Sequence, residues 1–359
     1  MFNIIRFRRK TSIPLDKELG TCSSEFSHVL VQDLNDLSLN NNTNNNDVAM
    51  EFDDFEVLKL VGVGGFGRVY QVRKIDTSEI FAIKVTRKNK AAIVRAEEEY
   101  EILSKLENQH PFIIHLSCSY KTQQGFYLVV DFVNGGNLYY HIGTQGRFPE
   151  DLARFYAAEV ASALSHLHGN GIIHGDIKSE NVLLDSKGHV VLIDFGFANK
   201  SPSSSTSFPG TIDMAAPEII RKISHDKTAD WWSFGILLYE MLVGKLPFEG
   251  RDRREVREKI VNGTIRFPRY LTSDAISLLT GLLTRDVELR LGRKGGEEVK
   301  KHKWFSFIDW EKLEAKEIRP SFVPKGDGKL CTTNFEECFT RIPVEESLVS
   351  THKSEAAVS

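Results

Sequence analysis

The spacing of the apolar residues changes at Gly135-Gly136, and this change constrains the fold of the 359-residue chain more than any other feature. Before it, short apolar runs such as 126–130 are typical of strands, and a charged stretch at 91–106 has a helical pattern. After it, apolar residues recur every three or four positions, as in helices; the main stretches are 152–168, 229–243, 254–262 and 273–283. The pattern predicts an α+β fold: a small sheet with one helix, followed by a mainly helical part.

Composition and charge exclude some partners and favour a location. The formal net charge is -3, so no global basic field attracts nucleic acid or an anionic membrane. No apolar run approaches the ~20 residues that span a bilayer, and the first residues do not form a signal-peptide pattern. The cysteines show neither metal-ligand nor dense disulfide spacing: Cys22, Cys118, Cys331 and Cys338. We expect a soluble protein without nucleic-acid partners or a membrane span, located in the cytoplasm, with the nucleus as a second location.

The two ends of the chain are predicted to be disordered. Residues 1–50 show no sustained period, and the polar tract 40–46 buries too little apolar surface to offset the entropy lost on ordering. The basic cluster Arg6 to Lys10 leaves open a targeting or docking stretch, although a solvated tail is favoured. The last part of 306–359 is irregular and polar, so we expect its end to fray.

A glycine cluster between two strand-like segments predicts a phosphate-binding loop. The segment Gly62-Val63-Gly64-Gly65-Phe66-Gly67-Arg68-Val69 has the pattern G-x-G-x-x-G-x-V, in which glycines let backbone amides approach phosphate oxygens. The alternative is a hairpin turn that only needs positive φ. A dinucleotide-binding fold would place a helix directly after the glycines, whereas the residues from Val69 to Val72 have strand character. The strand context favours a nucleotide-binding loop of the phosphoryl-transfer type.

A lysine on the next predicted strand is a candidate ligand for the α- and β-phosphates. Taken alone, Lys84 is more simply a surface lysine at the end of a strand. An acidic helix follows, however, and a glutamate on that helix is needed to hold such a lysine forward. The candidate is Glu99, because it precedes Ile102-Leu103; the other acids of the helix are expected to be solvated: Glu97, Glu98 and Glu101.

Four polar residues at fixed spacing predict the chemistry. In the segment from His174 to Asn181, Asp176 would accept the proton of an attacking hydroxyl, and Lys178 would stabilise the charge of the transferred phosphoryl group. Asn181 would bind the second magnesium ion, and Asp194, which follows the apolar run 190–193, supplies another carboxylate for Mg²⁺. A loop of similar composition is the alternative, but it does not predict Asp194 at this spacing. The order therefore predicts phosphoryl transfer from ATP with Mg²⁺.

One acidic and one basic residue of the predicted helical part are expected to have a structural role. Glu218, in Ala216-Pro217-Glu218, and Arg290 are expected to form a buried ion pair that anchors the substrate-side segment. Loss of one partner from a fully buried pair costs ~3–5 kcal/mol.

Together these motifs resemble those of the eukaryotic protein kinases over residues 55–305. Asp230-Trp231-Trp232-Ser233, Pro320-Ser321-Phe322 and Asn334-Phe335 are similar to the AGC group, and the closest resemblance is to the plant ribosomal protein S-six kinases. The resemblance implies a two-lobed fold, with an antiparallel-sheet N-lobe at 55–133, a helical C-lobe at 134–305 and a C-terminal extension at 306–359. It implies an ATP-dependent serine/threonine protein kinase.

The resemblance also implies binding roles for further residues. The residues from Val61 to Val69 would cover the bound ATP, and Lys84 would also bind ATP. The backbone of Asp131 and Val133 would contact adenine behind a gatekeeper at Val130, and Phe335 would close the nucleotide pocket. Glu180 and Glu240 match positions that receive arginines of the substrate, which implies protein substrates with basic residues near the acceptor Ser or Thr. An exposed carboxylate without this role is an equal alternative for Glu240. An upstream activating kinase is a further implied partner.

Three departures from the kinase pattern concern regulation. Gly175 replaces the arginine that usually precedes the catalytic aspartate, so that position cannot bind an activation-loop phosphate. Ser207 is a candidate phosphorylation site in that loop, and Met214 replaces a typical tyrosine. The aromatic hydrophobic motif of the family is not found at the end of this sequence. Gly175 and this difference leave open a pseudokinase or scaffold that binds ATP or partners without efficient turnover.

Overall fold

The computed structural model describes residues 54–64, 67–86, 90–106, 110–121, 125–200, 211–326 and 328–342. Predictions for residues 1–50 and for Gly65, Phe66 and Ser207 therefore lie outside the described residues. The described chain divides into two compact units. The sheet unit contains described residues of 54–96, 117–132 and 335–342, and the helical unit those of 97–116 and 133–334. The domain limits given above stay predictions.

Five strands form the sheet in the spatial order β1-β2-β3-β5-β4. They are β1 (Phe55–Gly64), β2 (Gly67–Lys74), β3 (Ile80–Thr86), β4 (Leu116–Lys121) and β5 (Phe126–Asp131). The pairs β1-β2, β2-β3 and β3-β5 are antiparallel. Gly67 is required where β2 meets β3, because a Cβ atom there would lie 1.8 Å from the carbonyl oxygen of Val85. Helix α1 (Lys90–Lys105) follows β3 in the chain.

The core of the sheet unit combines residues of the strands with residues of the C-terminal extension. Phe55 belongs to a buried cluster with Leu60, Tyr70, Val72, Ile83, Tyr127 and Val129. The ring of Phe81 packs against this cluster and meets that of Phe55 edge to face, with centroids 6.2 Å apart. Phe339 and Ile342 of the C-terminal extension pack against the same cluster. Phe339 lies on helix α10 (Glu337–Thr340), which contacts β1. The extension therefore completes the core of this unit.

The helical unit combines helices with two short two-stranded sheets. Its helices after α1 are α2 (Leu138–Gln145), α3 (Glu150–Gly169), α4 (Pro217–Ile220), α5 (Thr228–Val243), α6 (Arg253–Asn262), α7 (Ser273–Leu282) and α8 (Gly296–Lys300); α9 (Trp310–Glu314) follows in the extension. β6 (Ile172–Ile173) pairs with β9 (Asn199–Lys200), and β7 (Val182–Leu184) with β8 (Val190–Leu192). Helix α5 is buried on all sides from Thr228 to Leu242, as expected for the centre of a helical core.

The first part of the extension belongs to the helical unit. The ring of Phe322 meets that of His141 on α2 with centroids 5.2 Å apart. Nδ2 of Asn334 donates to the carbonyl oxygens of Lys325 and Asn134 at 2.7 and 3.2 Å, and Nδ2 of Asn134 donates to that of Gly328 at 2.9 Å. These bonds fix the extension to the chain just before α2.

The predicted fold class is confirmed. The structure has an antiparallel sheet in one unit and mainly helices in the other. None of the described helices is long and apolar enough to cross a membrane.

Candidate active site

Asp176 is held by hydrogen bonds to both of its carboxylate oxygens. Oδ1 accepts from the backbone N–H and the hydroxyl of Thr211, each at 3.2 Å. Oδ2 accepts from Nζ of Lys178 and from Nδ2 of Asn181, the latter at 3.1 Å. Asn181 also donates to the backbone carbonyl of Asp176 at 2.8 Å. Three residues predicted from the sequence, Asp176, Lys178 and Asn181, are thus buried together in one loop.

A buried carboxylate on α5 fixes the start of this loop. Asp230 accepts hydrogen bonds from the backbone N–H groups of His174 and Gly175, both at 2.9 Å, and from Nε2 of His168 at 2.8 Å. Burial acts to raise the pKa of Asp230, but these hydrogen-bond donors, His168 first among them, outweigh it and hold the pKa below its ordinary value. The ionised carboxylate therefore ties the loop to the most buried helix of the unit.

His174 connects the Asp176 loop to the segment before Asp194. Burial lowers the pKa of His174, so its imidazole is neutral. Nδ1 accepts from the backbone N–H of Asp176 at 3.3 Å, and Nε2 donates to the carbonyl oxygen of Ile193 at 3.1 Å. The one ring thus positions both chain segments that carry predicted functional carboxylates.

Asn181 and Asp194, the two predicted magnesium ligands, lie at the same end of the β7-β8 hairpin. The backbone N–H of Ile193 donates to the carbonyl oxygen of Asn181 at 2.9 Å, which places Asp194 next to this residue in the fold. Asp194 is buried and has a φ of 65°, a left-handed conformation that costs energy for a residue other than glycine.

The donor set fits Mg²⁺. Oδ1 of Asn181 is buried and accepts no hydrogen bond from any residue that the structure describes. Amide and carboxylate oxygens are ligands that Mg²⁺ prefers, and this ion is usually held by few protein oxygens, with waters and substrate phosphates completing its shell. Asn181 and Asp194 can supply the protein oxygens.

The predicted nucleotide residues of the sheet unit that the structure describes lie on four adjacent strands, β1, β2, β3 and β5. Lys84 on β3 is in register with Val69 of β2 and with Leu128 of β5, and Gly62 of β1 is in register with Val69. Strand β1 ends with Val61, Gly62, Val63 and Gly64. Strand β2 begins with Gly67, Arg68 and Val69, and strand β5 ends with Asp131. Within the same unit, Phe335 stacks on Phe132 with ring centroids 5.6 Å apart and planes 16° apart.

The other predicted residues lie in the helical unit. Glu99 is buried on α1, and its pairing with Lys84 stays a prediction. Val133 is buried, and Glu240 is buried on α5. Glu180 is half-buried in the 3₁₀ turn Ser179–Asn181, where it accepts a hydrogen bond from Oγ of Ser179 at 3.3 Å. The roles of these residues stay predictions.

The expected ion pair between Glu218 and Arg290 is confirmed. The two guanidinium NH groups of Arg290 donate to the two carboxylate oxygens at 2.7 and 2.8 Å, and both residues are buried. Arg290 also donates to the carbonyl oxygens of Thr284 and Thr228 at 2.8 and 3.1 Å. This pair anchors α4, which follows the turn at Ile212–Met214, to the chain after α7.

Thr211 is a site residue that sequence reasoning missed. Besides its bonds to Asp176, its hydroxyl accepts from Nζ of Lys178 at 3.2 Å. The only signal in the sequence is its place shortly before Ala216-Pro217-Glu218, and a threonine there has no role that spacing alone reveals. The contact depends on a fold that brings residues 176 and 211 together.

Comparison with known proteins shows the family. A model described as the protein kinase domain matches residues 55–305. The chain belongs to the protein kinase family. Among similar kinases, serine/threonine-protein kinase AtPK2/AtPK19 of Arabidopsis thaliana is 51% identical over 314 residues, which cover 85% of this chain and 66% of that protein. Ribosomal protein S6 kinase alpha-2 of Mus musculus is 38% identical over 351 residues, covering 94% of this chain and 48% of that protein.

These relatives place the kinase in the AGC group of serine/threonine kinases. The chain spans slightly less than two thirds of the plant relatives, since the match to serine/threonine-protein kinase AtPK1/AtPK6 of Arabidopsis thaliana covers 65% of that protein at 51% identity. Protein kinases as a family use ATP and typically Mg²⁺.

Proposed function

We propose that this kinase transfers the γ-phosphoryl group of ATP, with Mg²⁺, to Ser or Thr hydroxyls of proteins that carry basic residues near the acceptor. The observation that carries the proposal is the arrangement around Asp176, in which a buried carboxylate is oriented by Lys178, Asn181 and Thr211. Proton transfer requires such an acceptor to be fixed within hydrogen-bond reach of the hydroxyl. We also propose that the kinase acts in the cytoplasm, with the nucleus as a second location.

In the reaction, the substrate hydroxyl oxygen forms a bond to the γ-phosphorus while the bond to the β–γ bridging oxygen breaks and its electron pair leaves with ADP. Asp176 takes the hydroxyl proton. Donors of the described residues make four hydrogen bonds to the carboxylate of Asp176. A carboxylate has about four acceptor positions, so the incoming hydroxyl would replace one of these donors. The hydroxyl of Thr211 would be the least costly donor to displace, because it is uncharged and can rotate its hydrogen toward another acceptor.

Lys178 has a second role in the same step. Its ammonium group contacts both Asp176 and Thr211, so it lies where the acceptor hydroxyl would enter and can stabilise negative charge on the transferred group. Mg²⁺, when bound, would neutralise phosphate charge, and Asn181 and Asp194 are the residues that would hold it. Glu180 and Glu240 would favour arginine or lysine upstream of the acceptor.

The test is phosphate transfer from radiolabelled ATP to a serine peptide with upstream arginines. We expect Asp176→Asn to lower kcat by roughly 10²–10⁴-fold, the range for loss of a general base. Asp151→Asn, a change of the same kind at an exposed position, should retain activity. Equal incorporation by the wild type and Asp176→Asn would contradict the proposal, and ATP binding without transfer would favour the pseudokinase.

Substrate preference is tested separately. Glu180→Gln and Glu240→Gln should raise KM for the arginine peptide and leave KM for a peptide without arginines unchanged. An unchanged KM for both peptides would remove the basic preference but not the kinase activity.

A further inference from the structure

Helix α6 carries three exposed arginines along one side. Its inward residues Val256 and Ile260 are buried in a core cluster of the helical unit. At 3.6 residues per turn, the three arginines fall within about 100° of arc beside this buried stripe. They are Arg253, Arg254 and Arg257, and we call them the arginine stripe.

The charged side chains on the opposite side of α6 form ion pairs within the chain. Glu255 contacts Nζ of Lys259 at 2.8 Å and Nε of Arg251 at 3.1 Å. The side chains of the arginine stripe, in contrast, form no hydrogen bond or ion pair with any residue in the described parts of the chain. Glu258 follows Arg254 by one helical turn, yet the two side chains form no ion pair within 4 Å. The charges of the stripe are thus available to a partner.

The arginine stripe does not stabilise helix α6. The N-terminal end of a helix favours negative groups, and arginines in its first turns oppose the helix dipole. Arg253 and Arg257 are also like charges at i and i+4, a spacing at which they repel. The helix start is stabilised instead by Asp252, whose Oδ1 accepts from the backbone N–H groups of Arg254 and Glu255 at 2.9 and 2.8 Å. A feature that weakens local stability without compensation inside the fold is expected where a partner binds.

The position of α6 connects it to the active site. It packs against the turn at Ile212–Met214, and Met214 shares the core cluster with Val256 and Ile260. That turn directly follows Thr211, which is bonded to Asp176. The arginine stripe is therefore on the helix that supports the segment bordering the catalytic carboxylate, within the same unit.

We propose that Arg253, Arg254 and Arg257 form a docking surface for an acidic segment of the protein substrate, separate from the residues next to the acceptor hydroxyl. The proposal rests on the proposed function. Guanidinium groups bind carboxylates in a bidentate way, which suits Asp and Glu side chains. The acidic residues assigned to the acceptor region, Glu180 and Glu240, would repel the same segment. Opposite charges at the two places would fix the direction in which a substrate with a basic and an acidic part binds.

The test compares two peptides with the same basic acceptor sequence, one of which continues into a flexible linker and a run of Asp and Glu. We expect the full chain to have a KM at least about tenfold lower for the tailed peptide at low salt, with the difference reduced at about 0.5 M NaCl. In Arg253→Glu/Arg254→Glu/Arg257→Glu, the tailed peptide should lose this advantage and kcat for the untailed peptide should stay unchanged. The neutral variant with three Gln residues should show an intermediate loss.

The matched control is Lys294→Glu/Lys301→Glu/Arg319→Glu, which makes the same change of net charge at three other exposed positions. It should keep the advantage of the tailed peptide. Equal KM values for the two peptides with the wild type, or an equal loss in the control variant, would overturn the proposal.

A binding measurement separates this proposal from the proposed function. A measurement of fluorescence anisotropy, with the labelled acidic tail and the Asp176→Asn variant of this chain, needs no turnover. Binding that is lost in the stripe variant supports docking even if no peptide is phosphorylated, whereas absence of binding overturns docking even if phosphorylation is efficient. If the stripe variant loses binding to vesicles containing phosphatidylserine but binds the acidic tail as the wild type does, the stripe is a membrane contact and the proposal is wrong.

Discussion

Gly175 has a backbone conformation that explains why a small residue stands before Asp176. Its φ is 77°, in the left-handed region, and a Cβ atom there would lie 2.9 Å from the carbonyl oxygen of Phe197. The hydrogen bond from its backbone N–H to Oδ1 of Asp230, at 2.9 Å, holds this part of the backbone in place. The backbone geometry at position 175 therefore favours glycine over other residues, including the arginine that usually stands there in kinases.

We expect Gly175→Ala to destabilise the kinase by about 1–2 kcal/mol, the cost of a left-handed conformation for an L-residue. This corresponds to a fall in Tm of about 2–8 °C, measured by differential scanning calorimetry. Gly175→Asn should cost less, because asparagine tolerates this region better.

The matched control is Gly143→Ala. Gly143 lies inside α2 and is exposed, and a Cβ atom at this position would have no neighbour within 4 Å, so alanine there should stabilise the helix by roughly 0.5–1 kcal/mol. The two substitutions are the same in chemistry and should shift Tm in opposite directions. Equal shifts would show that backbone strain is not what selects glycine at position 175.

At the scale of elements, Glu150 at the start of α3 joins three parts of the helical unit. Its Oε1 accepts from Nε1 of Trp304 at 2.8 Å and from the hydroxyl of Thr272, the N-cap residue of α7, at 2.7 Å. Oε2 accepts from the backbone N–H of Thr272, and Arg154 contacts Oε1, both at 3.2 Å. Burial acts to raise the pKa of Glu150, but the hydrogen bonds of Thr272 and Trp304 outweigh it and hold the pKa below its ordinary value.

This shift predicts how stability depends on pH. Because the folded-state pKa of Glu150 is below the unfolded value of about 4.3, its contribution is fully present above that value and is lost as pH falls through the folded-state pKa. We expect Glu150→Gln to lower the free energy of unfolding by about 1–3 kcal/mol at pH 7, as for lost hydrogen bonds to a charged group. The difference from the wild type should shrink below about pH 4.

Urea unfolding from pH 7 to pH 3 measures this difference. Glu317→Gln is the control, because Glu317 is exposed and its side chain makes no hydrogen bond or ion pair with another described residue. It should differ little from the wild type at any pH. A deficit of Glu150→Gln that stays constant down to pH 3 would show that the ionised carboxylate is not the cause.

For the whole molecule, the sequence predicted the elements with strong periodicity and missed those without it. The long helices α3 and α5 have repeating apolar positions and were predicted to within two residues at each end. Strand β4 reads Leu-Ser-Cys-Ser-Tyr-Lys, and its residues show little alternation between apolar and polar types; only Leu116 is buried. Helix α2, with eight residues, is too short for a period to be recognised, although Asn137 caps it through a bond to the N–H of Tyr140.

The active site was predictable where motifs are local and not where contacts are long-range. Asp176, Lys178 and Asn181 belong to one loop, and in the structure Lys178 and Asn181 both donate to the carboxylate of Asp176. The contacts of Thr211 and Asp230 join residues far apart in the chain, and no period or spacing encodes them. The left-handed backbone of Asp194 is likewise not encoded by a local pattern, since only a few per cent of residues other than glycine adopt this conformation.

Contacts between residues far apart in the chain also give the C-terminal extension a role in the stability of the sheet unit. Phe339 on α10 packs against the cluster that includes Phe55 and Leu60 of β1. We expect Phe339→Ala to weaken this cluster by about 1–2 kcal/mol, less than the ~3–5 kcal/mol for a fully buried phenylalanine, because Phe339 is only partly buried. Hydrogen exchange of the β1 amides should become about 5–30-fold faster, while the amides of α5 keep their protection.

Phe307 provides the control for this experiment, because it belongs to the same extension and is 86% exposed. Phe307→Ala removes an identical side chain without removing a packed one, so exchange in β1 should stay at the wild-type rate. If Phe339→Ala also left β1 exchange unchanged, the extension would cover the sheet unit without stabilising it. If instead exchange rose equally in β1 and α5, Phe339 would act on global unfolding, and the core of the sheet unit would not open as a separate unit.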